Sequence, residues 1–114
     1  VCYPDPGAVC DAAELGEWDI GNIGAEPQRA ETIAFTSAYC EIEATYLVPA
    51  GSRLQSISDV DQSGIRIATK GRAAYGLWLE KNLRHAQLVR SGSIDASFDD
   101  FVAQGLEVLA LWGQ

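Results

Sequence analysis

The chain of 114 residues carries eight Lys and Arg against sixteen Asp and Glu, a formal net charge of −8. That balance argues against nucleic acid or an anionic membrane surface as partner, and the length allows one small domain or parts of two. A hydrophobic content of 47% with no apolar run long enough to span a bilayer fits a globular protein.

In chain order, residues 1–3 read as the end of a strand and Pro4-Asp5-Pro6-Gly7 as a turn. Residues 8–15 read as a short helix with Val9, Ala12 and Ala13 inward and Gly16 as its stop. Residues 18–23 read as a buried strand with Asp19 near its edge. Residues 26–29 form a loop or one helical turn, after which Ile33 and Phe35 point inward. Residues 41–48 are β-rich in type and end at Pro49. A turn at residues 50–52 and a helical turn at residues 57–61 lead to an alternating strand at residues 65–69. Residues 72–83 form a helix whose apolar face is Tyr75, Leu77, Trp78, Leu79 and Leu83. A short strand at residues 87–89 follows, then a turn and helix start at residues 91–96. A helix at residues 97–104 is stopped by Gly105, and residues 107–111 make a last strand. Strand–helix–strand alternation with short polar connections predicts an α/β chain with a mainly parallel sheet.

Three cysteines, Cys2, Cys10 and Cys40, cannot all pair internally. Spacing alone leaves open whether Cys2 and Cys10 bridge. No CxxC occurs and the one histidine is the distant His85, so neither a metal nor a cofactor is expected. No nucleophile–base pair and no Gly-rich phosphate loop is visible, and the aromatic residues read as core.

Two places carry ligand chemistry. Arg29 follows Pro27 on a polar loop between apolar segments. A cation there is costly unless paired, and a guanidinium holds a carboxylate through two parallel charge-assisted hydrogen bonds. The alternative is a structural pair with Glu26 or Asp19. The second place is Lys70-Gly71-Arg72-Ala73-Ala74-Tyr75, where a strand ends and a helix begins. Unpaired N–H groups at a helix start favour anions; the alternative is two exposed cations. Asn22 serves either as a ligand contact or as a turn former.

The ordered set Asp19-Ile20-Gly21-Asn22, Arg29, Ile33-Ala34-Phe35-Thr36, Tyr39, Ala44-Thr45-Tyr46-Leu47-Val48, Ser56-Ile57-Ser58-Asp59-Val60-Asp61 and Ile65-Arg66-Ile67-Ala68-Thr69-Lys70-Gly71 resembles the family 3 extracellular solute-binding proteins of amino-acid ABC importers. The resemblance covers nearly the whole chain but only the middle of the family's length. It implies a partial periplasmic binding protein type II-like fold with two part-lobes: residues 1–42 from lobe one, a hinge strand at residues 43–49, and residues 50–114 from lobe two. It further implies that Arg29 holds a ligand α-carboxylate and that Asn22, Ile23 and Gly24 edge the cleft. The turn with Lys70, Arg72, Ala74 and Tyr75 would close from lobe two. Gly24 falls where many members carry Thr or Ser, and no match for the family's amino-group-binding Asp is found near residues 111–114.

By that resemblance the chain is expected to bind an amino acid or small carboxylate outside the cytoplasm and to pass it to ABC permease subunits. A dehydratase of the cyclohexadienyl or arogenate type on the same fold, or a ligand-sensing module, is the alternative. Strand edges left unpaired in a part-lobe also predict a homodimer formed by segment exchange.

Overall fold

The computed structural model describes residues 1–112. Its centre is a four-stranded sheet of β1 (Ala44–Leu47), β2 (Arg66–Lys70), β3 (Gln87–Ser91) and β4 (Val108–Trp112), in the order β1-β4-β2-β3. β2 runs parallel to both β3 and β4, whereas β1 pairs antiparallel with β4. The sheet is therefore mixed but mostly parallel.

Its two faces follow from alternation along the strands. Ile67, Val108 and Ala110 face helix α2 (Ala74–Asn82), where they pack with Tyr75, Leu79, Val60 and Ile65. Ala68 and Leu109, one residue out of phase, face helix α3 (Ile94–Ala103) with Phe101 and Leu106. Ile67, Ala68 and Thr69 are wholly buried, as a central parallel strand covered on both sides requires.

Each helix starts and stops for a local reason. α1 (Pro6–Glu14) is capped by Asp5, whose carboxylate accepts the Ala8 N–H at 2.9 Å, and Pro6 supplies the preset first φ. α3 is capped by Ser93, which accepts the Ala96 N–H at 3.0 Å, and ends before Gly105 at φ 58°. A carboxylate also sets the approach to β3: Asp61 accepts the N–H groups of Arg84, His85 and Ala86. Those bonds hold its carboxyl below the usual carboxylate range.

The structure departs from the sequence reading in several places. Residues 18–23 form no strand: Ile20 is 92% exposed, and Trp18 donates its indole N–H to the Val9 carbonyl. Residues 1–3 form none either. Among the described residues neither segment has a ladder partner, and an unpaired strand leaves its backbone groups unsatisfied. The strand expected at residues 41–48 is reduced to the four residues of β1, a largely exposed edge. Helix α2 starts at Ala74 rather than at residue 72, because Arg72 sits at φ 63°, outside helical space. Residues 113–114 of the second expected part-lobe lie outside the described residues.

Candidate functional site

The site lies where the carboxyl end of β2 turns into α2. Thr69 and Lys70 end the strand, and Ala73, the residue before α2, offers no capping side chain. Among the described residues the first N–H groups of α2 therefore have no side-chain acceptor, and Thr69 Oγ1, wholly buried, has no hydrogen-bond partner. Gly76 lets the first turn of α2 sit against the strand end, for a Cβ there would stand 2.7 Å from the Lys70 carbonyl oxygen.

Arg29 reaches this turn from the other half of the chain. It opens a 3-10 turn (Arg29–Glu31), and its backbone N–H donates to Glu26 Oε2 at 3.1 Å. Its guanidinium donates from Nη1 to the Gly24 carbonyl and from Nη2 to the Arg72 carbonyl, both at 2.8 Å. The residue is only 5% exposed. Among the described residues no carboxylate forms a salt bridge with it. The structural alternative of a side-chain pair with Glu26 or Asp19 is thus not formed; Glu26 positions the backbone of Arg29 instead.

The other candidates divide. A methyl group on Gly24 would lie 3.4 Å from Ala74 Cβ and 3.6 Å from Arg29 Nη1, so Gly24, Arg29 and Ala74 converge. Tyr75 is buried behind Ala74, its ring edge-on to Trp112 at 5.1 Å, and burial raises its phenol above the usual range. Lys70 is 8% exposed and donates to the Gly71 carbonyl at 2.6 Å, with Asp5 at 3.8 Å. Arg72 turns its guanidinium away from Arg29 onto α1, donating to the Gly7 carbonyl and to Asp11. Asn22 is exposed, and its Oδ1 accepts from the Tyr39 hydroxyl at 3.4 Å.

Sequence reasoning missed Thr69 and Asp5. The last residue of a central parallel strand was a usable signal for Thr69, since ligands in open α/β sheets gather at strand carboxyl ends. Asp5 was legible only as a turn residue. Of the three cations here, Lys70 and Arg72 face carboxylates, Asp5 and Asp11, whereas the Arg29 guanidinium meets carbonyls alone among the described residues.

No protein-family model and no curated protein matches the chain. Solved structures do. An ancestral amino acid-binding protein described as a precursor of cyclohexadienyl dehydratase matches with a TM-score of 0.79 at 15% identity, over 94% of this chain and 49% of that one. The second substrate-binding domain of a protein assigned as an amino acid ABC transporter of Streptococcus pneumoniae matches with a TM-score of 0.57 at 18% identity, over 96% of this chain and 50% of that one. An ancestral cyclohexadienyl dehydratase matches with a TM-score of 0.55 at 15% identity, over 97% of this chain and 48% of that one. The chain spans about half the length of these structures, and the likeness is one of fold. The fold is that of half of a periplasmic binding protein type II, the fold of the amino-acid-binding family 3 proteins.

Proposed function

We propose that this chain is the ligand-capturing part of a binding protein for an amino acid or similar small carboxylate, serving an ABC importer outside the cytoplasm. One observation supports this most: Arg29 is 5% exposed, yet among the described residues its side-chain partners are two carbonyls and no carboxylate. A buried guanidinium lacking a counter-charge is unfavourable on its own and is neutralised when a carboxylate arrives. The N–H groups not given to Gly24 and Arg72 are available for that carboxylate. The uncapped start of α2, Thr69 Oγ1 and Ala74 supply the opposite wall, and Tyr75 backs it. Residues 1–42 and 50–114, joined by the segment 43–49, already meet through Arg29 and Arg72, so in this reading opening between them admits the ligand and closing retains it.

Native mass spectrometry of the purified chain with an amino-acid mixture identifies the retained ligand, and calorimetry then compares wild type with Arg29→Ala and Arg29→Lys. Loss of a bidentate charge-assisted contact removes about 1.5–3 kcal/mol, a weakening of ~10-fold or more. A thermal melt of each variant separates loss of ligand from loss of fold. Affinity unchanged in a folded Arg29→Ala protein refutes the assignment. The segment-exchanged homodimer belongs to the same proposal, and a monomeric mass in light scattering at micromolar concentration refutes it.

The likeness to an ancestral cyclohexadienyl dehydratase favours a second reading, a lyase acting on prephenate or arogenate. Such chemistry needs a general acid within reach of the leaving hydroxyl. Glu26, the carboxylate that meets Arg29 at its own turn, is engaged as an acceptor of its backbone N–H. Turnover of either acid by the purified chain would reverse the order of the two readings.

A further inference from the structure

We propose that Arg72 is a positioning residue that latches α1 to the β2–α2 turn with its side chain while its carbonyl holds the Arg29 guanidinium. Docking of α1 and placement of Arg29 are then one event.

Four observations carry this. First, Arg72 is, among the described residues, the one non-glycine residue at positive φ, 63°. Such a backbone is unfavourable for an L side chain and persists where surrounding contacts fix it. Second, those contacts lie on both sides of the residue. Nη2 donates to the Gly7 carbonyl at 2.9 Å and to Asp11 Oδ1 at 2.7 Å, both on α1. The Arg72 carbonyl accepts from Arg29 Nη2 at 2.8 Å. Third, a second cation from the same turn repeats the arrangement: Lys70 Nζ lies 3.8 Å from Asp5, the cap of α1. Lys70 and Arg72 both help hold the Asp5 carboxyl below its usual range, after the larger effect of the Ala8 N–H. Fourth, apolar packing holds α1 weakly. Gly7 and Ala12 are its buried residues, with Ala8, Val9, Cys10 and Ala13 half-buried, so even a largely exposed ion pair adds a sizeable share to its attachment.

Gly7 fits the latch as well. A Cβ at that position would lie 2.6 Å from the Arg72 Cζ. The guanidinium thus lies against the α1 backbone where only a glycine leaves room. The far end of a flexible side chain can move aside, so Gly7→Ala displaces the latch without displacing the core.

The attachment of α1 needs no ligand, and its test needs none; only the consequence for Arg29 rests on the binding role proposed above. Hydrogen exchange read by mass spectrometry on the whole chain follows α1 and, as internal references, β2 and β4. Arg72→Gly keeps the positive φ and removes the side chain. It is expected to speed exchange in α1 by ~3-fold or more, leaving β2 and β4 unchanged. Gly7→Ala is expected to do the same. Salt at about 1 M, where the Debye length falls to about 3 Å, should loosen α1 in the wild type and have little further effect in Arg72→Gly. The exchanged pair Asp11→Arg with Arg72→Asp should restore part of the protection lost in Arg72→Asp alone. Unchanged α1 protection in Arg72→Gly overturns the latch. Equal loss of protection in β2 and β4 also overturns it, since Arg72 would then support the fold generally. Loss of ligand binding in Arg29→Ala with the latch intact, or the reverse, tells the two proposals apart.

Discussion

Replacing Gly76 by alanine sets two known effects against each other at the wall of the site. Gly76 is the third residue of α2, where alanine is the better helix former by about 1 kcal/mol. Its Cβ would, however, lie 2.7 Å from the Lys70 carbonyl oxygen and 3.3 Å from Thr69 Oγ1. The first of these atoms is backbone at the end of a buried central strand and cannot swing away. Overpacking costs about 1–3 kcal/mol, and a 2.7 Å clash with fixed backbone belongs to the upper part of that range, about 2–3, so the steric effect wins and the net loss is ~1–2 kcal/mol. Relief requires α2 to ride outward, carrying Ala74 with it and altering the turn whose Arg72 carbonyl meets Arg29. Urea unfolding followed by tryptophan fluorescence measures the stability term. Gly71→Ala is the control: its Cβ would stand 3.5 Å from the Ser91 carbonyl oxygen, an ordinary contact, and a change within about 0.5 kcal/mol is expected. A Gly76→Ala protein as stable as wild type, or more so, refutes the reasoning.

Thr69→Val removes a buried hydroxyl that has no partner among the described residues, so it is expected to raise stability by up to ~1–2 kcal/mol in urea while weakening ligand capture if the hydroxyl faces the ligand. A loss of stability would mean that the hydroxyl is satisfied after all. Glu107 accepts from the Arg66 guanidinium, chiefly for which reason its pKa falls from an ordinary 4.5 to about 2. A depressed carboxylate pKa contributes stability that is present above about 4.5 and lost as pH falls through about 2. Urea midpoints measured down that range should drop for wild type and drop less for Glu107→Gln; parallel curves would contradict the pairing. Cys2, Cys10 and Cys40 are free thiols, so a reductant should leave the thermal midpoint where it is.

The parts of the fold legible in the sequence are those whose signals are local. β2 alternates, and Ser93 and Gly105 bracket α3 with a cap and a left-handed stop. The 3-10 turn at Ile57–Asp59 is closed by a capping box between Ser56 and Asp59. What failed needed information about partners. Residues 18–23 have strand composition, but composition does not supply a neighbouring strand. Helical spacing puts Trp78 on the apolar face of α2, yet it is 55% exposed, because the sheet covers only the narrow stripe of Tyr75 and Leu79. At the site, the spacing of Arg29 and the β2–α2 turn drew attention to both. That the Arg29 guanidinium meets the Arg72 carbonyl 43 positions away, and that the Arg72 side chain leaves for α1, depends on backbone angles no residue pattern encodes.

The sheet order also governs when this chain can acquire its structure. β4, the last of the four described strands in sequence, lies between β1 and β2. β1 and β2 do not pair with one another; each pairs with β4. On a ribosome, β1 is therefore released long before its ladder exists, and β2 can pair only with β3 until residues 108–112 emerge. Insertion of a late central strand closes long loops in a single step, which slows folding and lengthens the time that bare strand edges are exposed.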